Sequence, residues 1–262
     1  MTDETREEPV GHKLPNYIIG ACVLIAIAYF SYEVLFRKSK GIAASQPTFL
    51  IAGPSGSGKT SLYALLRYGE RATTVPSIEP NMTAKFRPPG LPESAKSYVL
   101  VDSPGHQKLR HYMFSTLDTS TTARTMHGIV FVVDASAMSR PEKLREAAEY
   151  LGAILRKTNR RRGGADILVA ANKSELFTAV PAKRLKTLME NELDKLAKSK
   201  ANSVMGVDAD TGVDDDEYMQ LQIGEFKFEA CESEVTFLDG SIETGKIESW
   251  LEWMTEKAVN NH

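Results

Sequence analysis

The chain has 262 residues, of which 42% are apolar and 25% charged, with a formal net charge of −2 and two cysteines. This composition is typical of one globular domain with appendages, and it excludes a disulfide-stapled scaffold. No basic cluster extends beyond short runs such as RKTNRRR, residues 156–162, so direct nucleic-acid binding is not expected.

The N-terminal part of the chain predicts one transmembrane helix. Residues 16–36 hold a single charge, Glu33, and a helix of that length crosses about 30 Å of hydrocarbon. The basic run RKSK follows at 37–40, which places the remainder of the chain in the cytosol and the short tail 1–15 in the lumen or outside. A cleaved signal peptide is disfavoured by the acidic start of the chain, and a buried core helix by the unbroken apolar run.

Residues 37–47 are polar and small, which indicates a linker, and residues 48–262 predict an α/β domain. Apolar runs alternate with helical patterns, as in a mostly parallel sheet with helices on both faces. The predicted strands are 48–53, 96–102, 128–134, 166–172 and 225–231, with an edge strand near 81–87, and the predicted helices are 59–69, 141–157, 181–200 and 245–259.

Residues 203–224 interrupt this alternation with an acidic stretch that has almost no periodicity. Asp208, Asp210 and Gly212 have a spacing close to that of a calcium loop, but the glycine comes one position early and the closing glutamate is missing. A solvated, flexible loop is therefore the favoured interpretation.

The stretch GPSGSGKTS, residues 53–61, lies between the first predicted strand and the first predicted helix and matches the phosphate-binding pattern G-x-x-x-x-G-K-[ST]. Backbone N–H groups of such a loop hold phosphates, while Lys59 reaches the β- and γ-oxygens and Thr60 offers its hydroxyl to Mg²⁺. The predicted nucleotide contacts here are Gly53, Ser55, Gly56, Ser57, Gly58, Lys59, Thr60 and Ser61.

Two later stretches predict contacts with Mg²⁺ and the γ-phosphate. In VLVDSPGH, residues 99–106, Asp102 ends a strand and would hold Mg²⁺, while the N–H of Gly105 would bind the γ-phosphate. His106 stands where GTPases orient the attacking water, although an exposed histidine without a catalytic role is the alternative. In TTVPSIEPN, residues 73–81, Ser77 is the predicted Mg²⁺ ligand, with the two threonines left open.

The stretch ANKSEL, residues 171–176, predicts that the base of the bound nucleotide is guanine. Asn172 and Lys173 end a strand, and the carboxylate of Glu175 would accept hydrogen bonds from N1–H and N2–H₂ of guanine, whereas adenine offers a lone pair at N1. Glutamate replaces the usual aspartate at this position. A further base-side loop is expected after the last strand, near Cys231.

These four elements in this order, behind a predicted anchor, resemble the beta subunits of the signal recognition particle receptor, of fungal type. The stretches VPSIEPN, VDSPGHQKLR and ANKSELFTA carry the likeness, which covers essentially the whole chain. The family is similar to the Arf/Sar branch of small GTPases. The resemblance implies a P-loop GTPase fold, GTP and Mg²⁺ as ligands, and a cytosolic domain anchored by a single pass in the endoplasmic reticulum membrane.

The same resemblance implies a partner and an activity. The partner is the N-terminal domain of a peripheral alpha subunit, held at the membrane for co-translational protein targeting, and the translocon or the ribosome stay open as further partners. The implied activity is GTP hydrolysis, slow or dependent on a partner. Two alternatives stay open: a tether that keeps GTP bound without significant hydrolysis, and an Arf/Sar-like GTPase of vesicle trafficking, which a permanent anchor disfavours.

Overall fold

The computed structural model describes residues 46–92, 94–118, 125–159, 165–204 and 225–260. Strands in these segments form one six-stranded sheet: β1 Thr48–Ala52, β2 Asn81–Phe86, β3 Tyr98–Asp102, β4 Met126–Asp134, β5 Ile167–Asn172 and β6 Val235–Asp239. The order across the sheet is β2-β3-β1-β4-β5-β6. Strand β2 is antiparallel to β3 and the other neighbours are parallel. The predicted α/β class with a mostly parallel sheet is confirmed.

Within the described residues, five helices flank the sheet: α1 Lys59–Tyr68, α2 Arg110–Asp118, α3 Pro141–Asn159, α4 Ala182–Val204 and α5 Glu248–Asn260. On one face, Leu62 of α1 and Trp250 of α5 join a buried cluster with alternate residues of β1, such as Phe49 and Ile51. Every residue of β1, β3 and β5 is buried. Strands covered on both faces are apolar along most of their length, which is why their sequences lack a polar alternation.

The last strand lies later in the chain than the sequence pattern predicts. Residues 225–231 are not a strand, and Phe228–Ala230 form a 3₁₀ turn. The backbone N–H of Phe228 donates to Oε1 of Glu190 on α4 at 3.3 Å instead of to a neighbouring strand. The Phe228 ring packs against Phe237 of β6, with 5.1 Å between ring centroids. The aromatic residues of this segment therefore cover the sheet without joining it.

Helix α2 was not predicted from the sequence, since its nine residues have only a weak apolar face, in which Met113 and Leu117 are buried. Several other predictions lie outside the described residues, namely the tail 1–15, the anchor 16–36, nearly all of the linker 37–47, and residues 205–224 of the acidic stretch. Within the part of the chain that the structure describes, no helix is both long enough and apolar enough to cross a membrane.

Candidate functional site

A cleft of about 580 Å³ opens at the carboxyl ends of the parallel strands. Its walls come from the 53–61 loop, the segment after α1, the loop after β3, and the loops after β5 and β6. Twelve predicted site residues line it: Ser55, Gly56, Gly58, Lys59, Thr60, Ser61, Ser77, Gly105, His106, Asn172, Lys173 and Glu175. The structure thus brings together residues that are far apart in the sequence.

The 53–61 loop leads directly from β1 into α1. Gly58 precedes the helix with φ 101°, a left-handed conformation that favours glycine. A Cβ there would lie 2.4 Å from Nδ2 of Asn172, so a side chain is also excluded by space. Gly53 packs against the backbone of Val132 on β4, and Ser57 is buried. The loop is therefore packed closely against the sheet.

Lys59 is buried at the floor of the cleft, and its Nζ donates to the carbonyl oxygen of Pro54 at 2.6 Å. Burial lowers the pKa of Lys59 to about 8, although the Asp102 carboxylate acts in the opposite direction. Gly105 approaches the same amine so closely that a Cβ would lie 2.4 Å from Nζ. A bound phosphate would stabilise the charged amine in this site.

The three predicted Mg²⁺ ligands meet beside Lys59. The hydroxyl of Thr60 donates to Oδ2 of Asp102 at 2.9 Å and lies 3.0 Å from the hydroxyl of Ser77. Asn81, which was not predicted, donates to the same Oδ2 at 3.0 Å and to the Ser77 hydroxyl at 3.3 Å. Its amide orients both groups from the start of β2.

Asp102 is fully buried, and its Oδ1 has no hydrogen-bond partner within the described residues. Burial raises the pKa of this carboxyl, although hydrogen bonds from Asn81 and Thr60 oppose the shift. A carboxylate oxygen left without a donor, next to two hydroxyls, is the kind of hard oxygen set that Mg²⁺ prefers. The residues present therefore fit the ion.

His106 is exposed at the rim of the cleft and begins the 3₁₀ turn Gln107–Leu109. Its Nδ1 accepts from the backbone N–H of Lys108 at 3.3 Å, so the neutral ring carries its proton on Nε2. The predicted water-orienting residue thus lines the site without being enclosed by it.

Asn172 ties two walls of the cleft together. Its Nδ2 donates to the carbonyl oxygen of Ser57 at 2.8 Å, and its Oδ1 accepts from the N–H of Ile242 at 3.1 Å. Lys173 has a left-handed backbone with φ 66°, and its Nζ contacts Oδ2 of Asp134 at 2.6 Å. Burial alone would raise the pKa of Asp134, but the hydrogen bonds from Lys173 and from Ser136 lower it. Asp134 was missed by the sequence analysis.

The base-side wall contains Glu175 and the loop after β6, not the segment near Cys231 that was predicted. Ile242 and Glu243 line the cleft, whereas Cys231 lies before β6, in a small apolar cavity with Leu155 and Phe226. Ser233 accepts from the N–H of Ala165 near the start of β5, which marks this as the end of the sheet away from the cleft. The expectation that Cys231 lies at the base-side loop is wrong because it followed from the misplaced last strand. The glycines of GSIETG, residues 240–245, are the signal that could have located this loop.

The family model of the signal recognition particle receptor beta subunit matches residues 44–235. The signal recognition particle receptor subunit beta of Saccharomyces cerevisiae is 37% identical to this chain over 254 residues, which are 93% of this chain and 99% of that protein. These matches cover both the cleft residues and most of the sheet.

Solved structures agree with the sequence matches. A chain of the mammalian signal recognition particle receptor superimposes with a TM-score of 0.64 at 25% identity, covering 80% of this chain and 99% of the other. The Chaetomium thermophilum receptor SRb in a GTP/SRX complex gives 0.60 at 25% identity, with 81% and 98% coverage. The same receptor with GDP and Mg gives 0.61 at 27% identity, with 81% and 98% coverage. Matching structures thus contain GTP or GDP with Mg in this fold.

Proposed function

This chain belongs to the family of signal recognition particle receptor beta subunits, and we propose that it binds GTP and GDP with Mg²⁺ and holds the receptor's alpha subunit at the endoplasmic reticulum membrane. The observation that carries the proposal is the convergence of Thr60, Ser77 and Asp102 beside the buried Lys59. Solved structures of family members with GTP, or with GDP and Mg, support the choice of ligand.

In the proposed complex each residue has a defined task. The Lys59 ammonium donates to the phosphates, and the hydroxyls of Thr60 and Ser77 with the Asp102 carboxylate hold Mg²⁺. The ion, when bound, neutralises part of the phosphate charge. The N–H of Gly105 donates to the γ-phosphate, which is absent from GDP. The segments that contain Ser77 and Gly105 would therefore differ between the two nucleotide states.

The base is read by Glu175 and Asn172. Replacing Glu175 by Gln keeps the side-chain length and removes the charge, so two charge-assisted hydrogen bonds to guanine weaken, each worth roughly 1.5–3 kcal/mol. We expect GTP affinity to fall about tenfold or more and affinity for XTP, whose C2 carbonyl suits an amide donor, to rise. Competition binding with both nucleotides measures the ratio. Glu232→Gln, at an exposed carboxylate away from the cleft, is the control, and an unchanged ratio in Glu175→Gln would refute base reading.

Hydrolysis of GTP is part of the proposal, with His106 orienting the attacking water. Its position at the exposed rim supports slow turnover by the isolated chain and faster turnover once a partner covers the rim. Single-turnover hydrolysis with and without the alpha subunit distinguishes this from a tether that keeps GTP bound, because the tether would hydrolyse nothing in either case.

The partner surface is proposed to lie beside the segments that respond to the γ-phosphate. Val75 is 78% exposed and Ile78 75%, on either side of Ser77, while Met82 on β2 is 39% and Tyr112 on α2 is 36% exposed. Apolar side chains exposed in this way are typical of a binding surface. A partner that covers them can distinguish GTP from GDP through the adjoining loops.

The alpha subunit should therefore bind more tightly to the GTP form. We expect the N-terminal domain of the alpha subunit to bind the GTP-loaded chain at least tenfold more tightly than the GDP-loaded chain, or about 1.4 kcal/mol, in calorimetric titrations. Ile78→Ser should weaken binding of the GTP form, whereas Phe177→Ser, at a fully exposed phenylalanine on the base side, should not. Equal affinities for the two loaded forms would leave only a constitutive tether.

Anchoring by residues 16–36, with a lumenal N-terminus and a linker over 37–47, is proposed from the apolar run and the basic residues that follow it. Family membership supports the endoplasmic reticulum as the membrane. Alkaline extraction tests the anchor directly: the full chain should stay in the membrane pellet, and a chain lacking residues 1–40 should not.

A further inference from the structure

An ion pair joins the segment after α1 to the loop after β6, whose Glu243 lines the cleft on its base side. Arg71 lies three residues beyond the end of α1, and Glu243 lies in the loop after β6, 172 positions later. One guanidinium nitrogen of Arg71 donates to Oε1 of Glu243 at 2.7 Å and also to the backbone carbonyl oxygen of Glu243. A single side chain thus joins two segments that belong to different walls.

Each segment also has a contact on its own side of the cleft, and the ion pair connects the two segments to each other. On the Arg71 side, the hydroxyl of Thr74 lies 3.1 Å from that of Ser61 on α1. On the Glu243 side, the N–H of Ile242 donates to Oδ1 of Asn172, at the end of β5, at 3.1 Å. Because each segment is tied to the body of the domain, the ion pair links two anchored points and does not merely fold one loop on itself.

The ion pair lies at the base side of the cleft. Glu243 follows Ile242, whose N–H is bound by Asn172, the residue proposed to sit beside the base. Residues that would contact the γ-phosphate, such as Gly105, belong instead to the loop after β3. A contact on the base side cannot distinguish GTP from GDP, since the two ligands are identical there.

We propose that Arg71 and Glu243 form a clasp that closes the base side of the cleft and slows the dissociation of GDP and GTP alike. This inference rests on the proposed nucleotide binding and names two positioning residues for it. Neither residue needs to touch the nucleotide: the clasp keeps the segment after α1 against the loop after β6, and the ligand leaves when the two separate.

The strength of the clasp is limited by its exposure. The Arg71 side chain is 52% exposed and that of Glu243 76%, so salt screens their attraction and an exposed pair contributes little on its own. The second bond, to a backbone carbonyl, does not depend on the carboxylate. We therefore expect a moderate kinetic effect that weakens as ionic strength rises.

The test is a chase experiment on the full chain in mild detergent, loaded with fluorescent N-methylanthraniloyl GDP or its GTP counterpart and mixed with excess unlabelled nucleotide. Arg71→Ala should raise the dissociation rate constant of both ligands about threefold to tenfold. Raising the salt concentration should accelerate dissociation from the unmodified chain more than from Arg71→Ala. Glu243→Gln should show a smaller acceleration, because the carbonyl bond persists.

Arg67→Ala is the matched control. Arg67 carries the same charge four residues earlier, in the last turn of α1. Its side chain contacts the hydroxyl and ring of Tyr63 and the ring of Tyr68 and does not line the cleft. Equal rate constants for Arg71→Ala and Arg67→Ala would overturn the clasp, and so would an acceleration confined to the triphosphate. An unmodified chain that retains no guanine nucleotide would instead overturn the proposed function itself.

Discussion

Replacing Lys59 by alanine is expected to lower the affinity for both GTP and GDP by at least about 100-fold, the loss of roughly 3 kcal/mol that accompanies removal of a charged donor. The amine is buried at the floor of the cleft, and its hydrogen bond to the Pro54 carbonyl holds it there in advance. Alanine removes the ammonium group that is proposed to donate to the phosphates.

Equilibrium titration with fluorescent GDP measures this effect. Lys195→Ala is the control, since Lys195 is 72% exposed on α4 and its removal changes the net charge equally. Binding by Lys59→Ala within threefold of the control would show that the phosphates lie elsewhere.

The pH dependence of binding gives a second test of the same lysine. In the free protein the pKa of Lys59 is lowered to about 8, so the amine loses its proton as the pH rises through 8. A bound phosphate raises that pKa, so binding takes up a proton between the two values and affinity falls as the pH increases. From pH 7 to pH 9 we expect the affinity to fall about tenfold, and Lys59→Ala to lack this slope.

The architecture was largely predictable because its central strands are short, apolar on both faces and bounded by turn residues. Strand β5, for example, is buried at all six positions, and the run ILVAAN identifies it without knowledge of its neighbours. The phosphate-binding loop was predictable for another reason: its glycines, Lys59 and Thr60 are adjacent in sequence and each residue type has a chemical task.

The last strand was not predictable from local pattern. EFKFEAC alternates aromatic and polar residues as a half-buried strand does, whereas Val235–Asp239 has four partly buried residues and an exposed end. The choice between them depends on Glu190, which binds the backbone of Phe228 from 38 positions away. Contacts of this range leave no periodicity in the segment itself.

The supporting residues of the site were missed for the same reason. Asn81 contacts Asp102 across 21 positions and Arg71 contacts Glu243 across 172. Neither belongs to a motif with fixed spacing, and each has an ordinary solvent-facing residue type for a loop or an edge strand. Sequence motifs therefore identified the residues proposed to contact the ligand. The supporting residues that hold them in place became visible only in the folded structure.

The substitution Asp102→Asn is expected to have the largest effect on Mg²⁺-dependent nucleotide binding. The amide has the same size, and its oxygen can accept the hydrogen bonds that Thr60 and Asn81 now donate, but it offers Mg²⁺ no charge. We expect affinity for GTP in the presence of Mg²⁺ to fall at least about tenfold. Chelation of Mg²⁺ should lower the affinity of the unmodified chain and leave that of the variant nearly unchanged.

The same substitution should separate binding from stability. Burial raises the pKa of Asp102, so the folded chain keeps the proton to higher pH than the unfolded chain does. The free energy of unfolding therefore falls as the pH rises from the pKa of this carboxyl in the unfolded chain to its pKa in the folded chain. At higher pH the loss of stability stays constant. Without nucleotide at pH 7, the Tm of Asp102→Asn should equal or exceed that of the unmodified chain. Any excess in Tm should disappear near pH 4.

Saturating ligand should reverse that order. At 100 times its dissociation constant, Mg²⁺ with GTP stabilises the unmodified chain by about 2.7 kcal/mol, or about 5–10 °C in Tm for a domain of this size. At the same concentrations an affinity tenfold lower gives about 1.4 kcal/mol, so Asp102→Asn should gain at most about half of the stabilisation. Thermal melts at pH 4 and pH 7, with and without Mg²⁺ and GTP, give all the values needed. A variant that melts lower without ligand, yet gains the full increment with it, would identify Asp102 as a structural residue and remove it from the ion site. A variant that melts no lower without ligand and gains less with it would show that the buried carboxylate binds Mg²⁺ and destabilises the free protein.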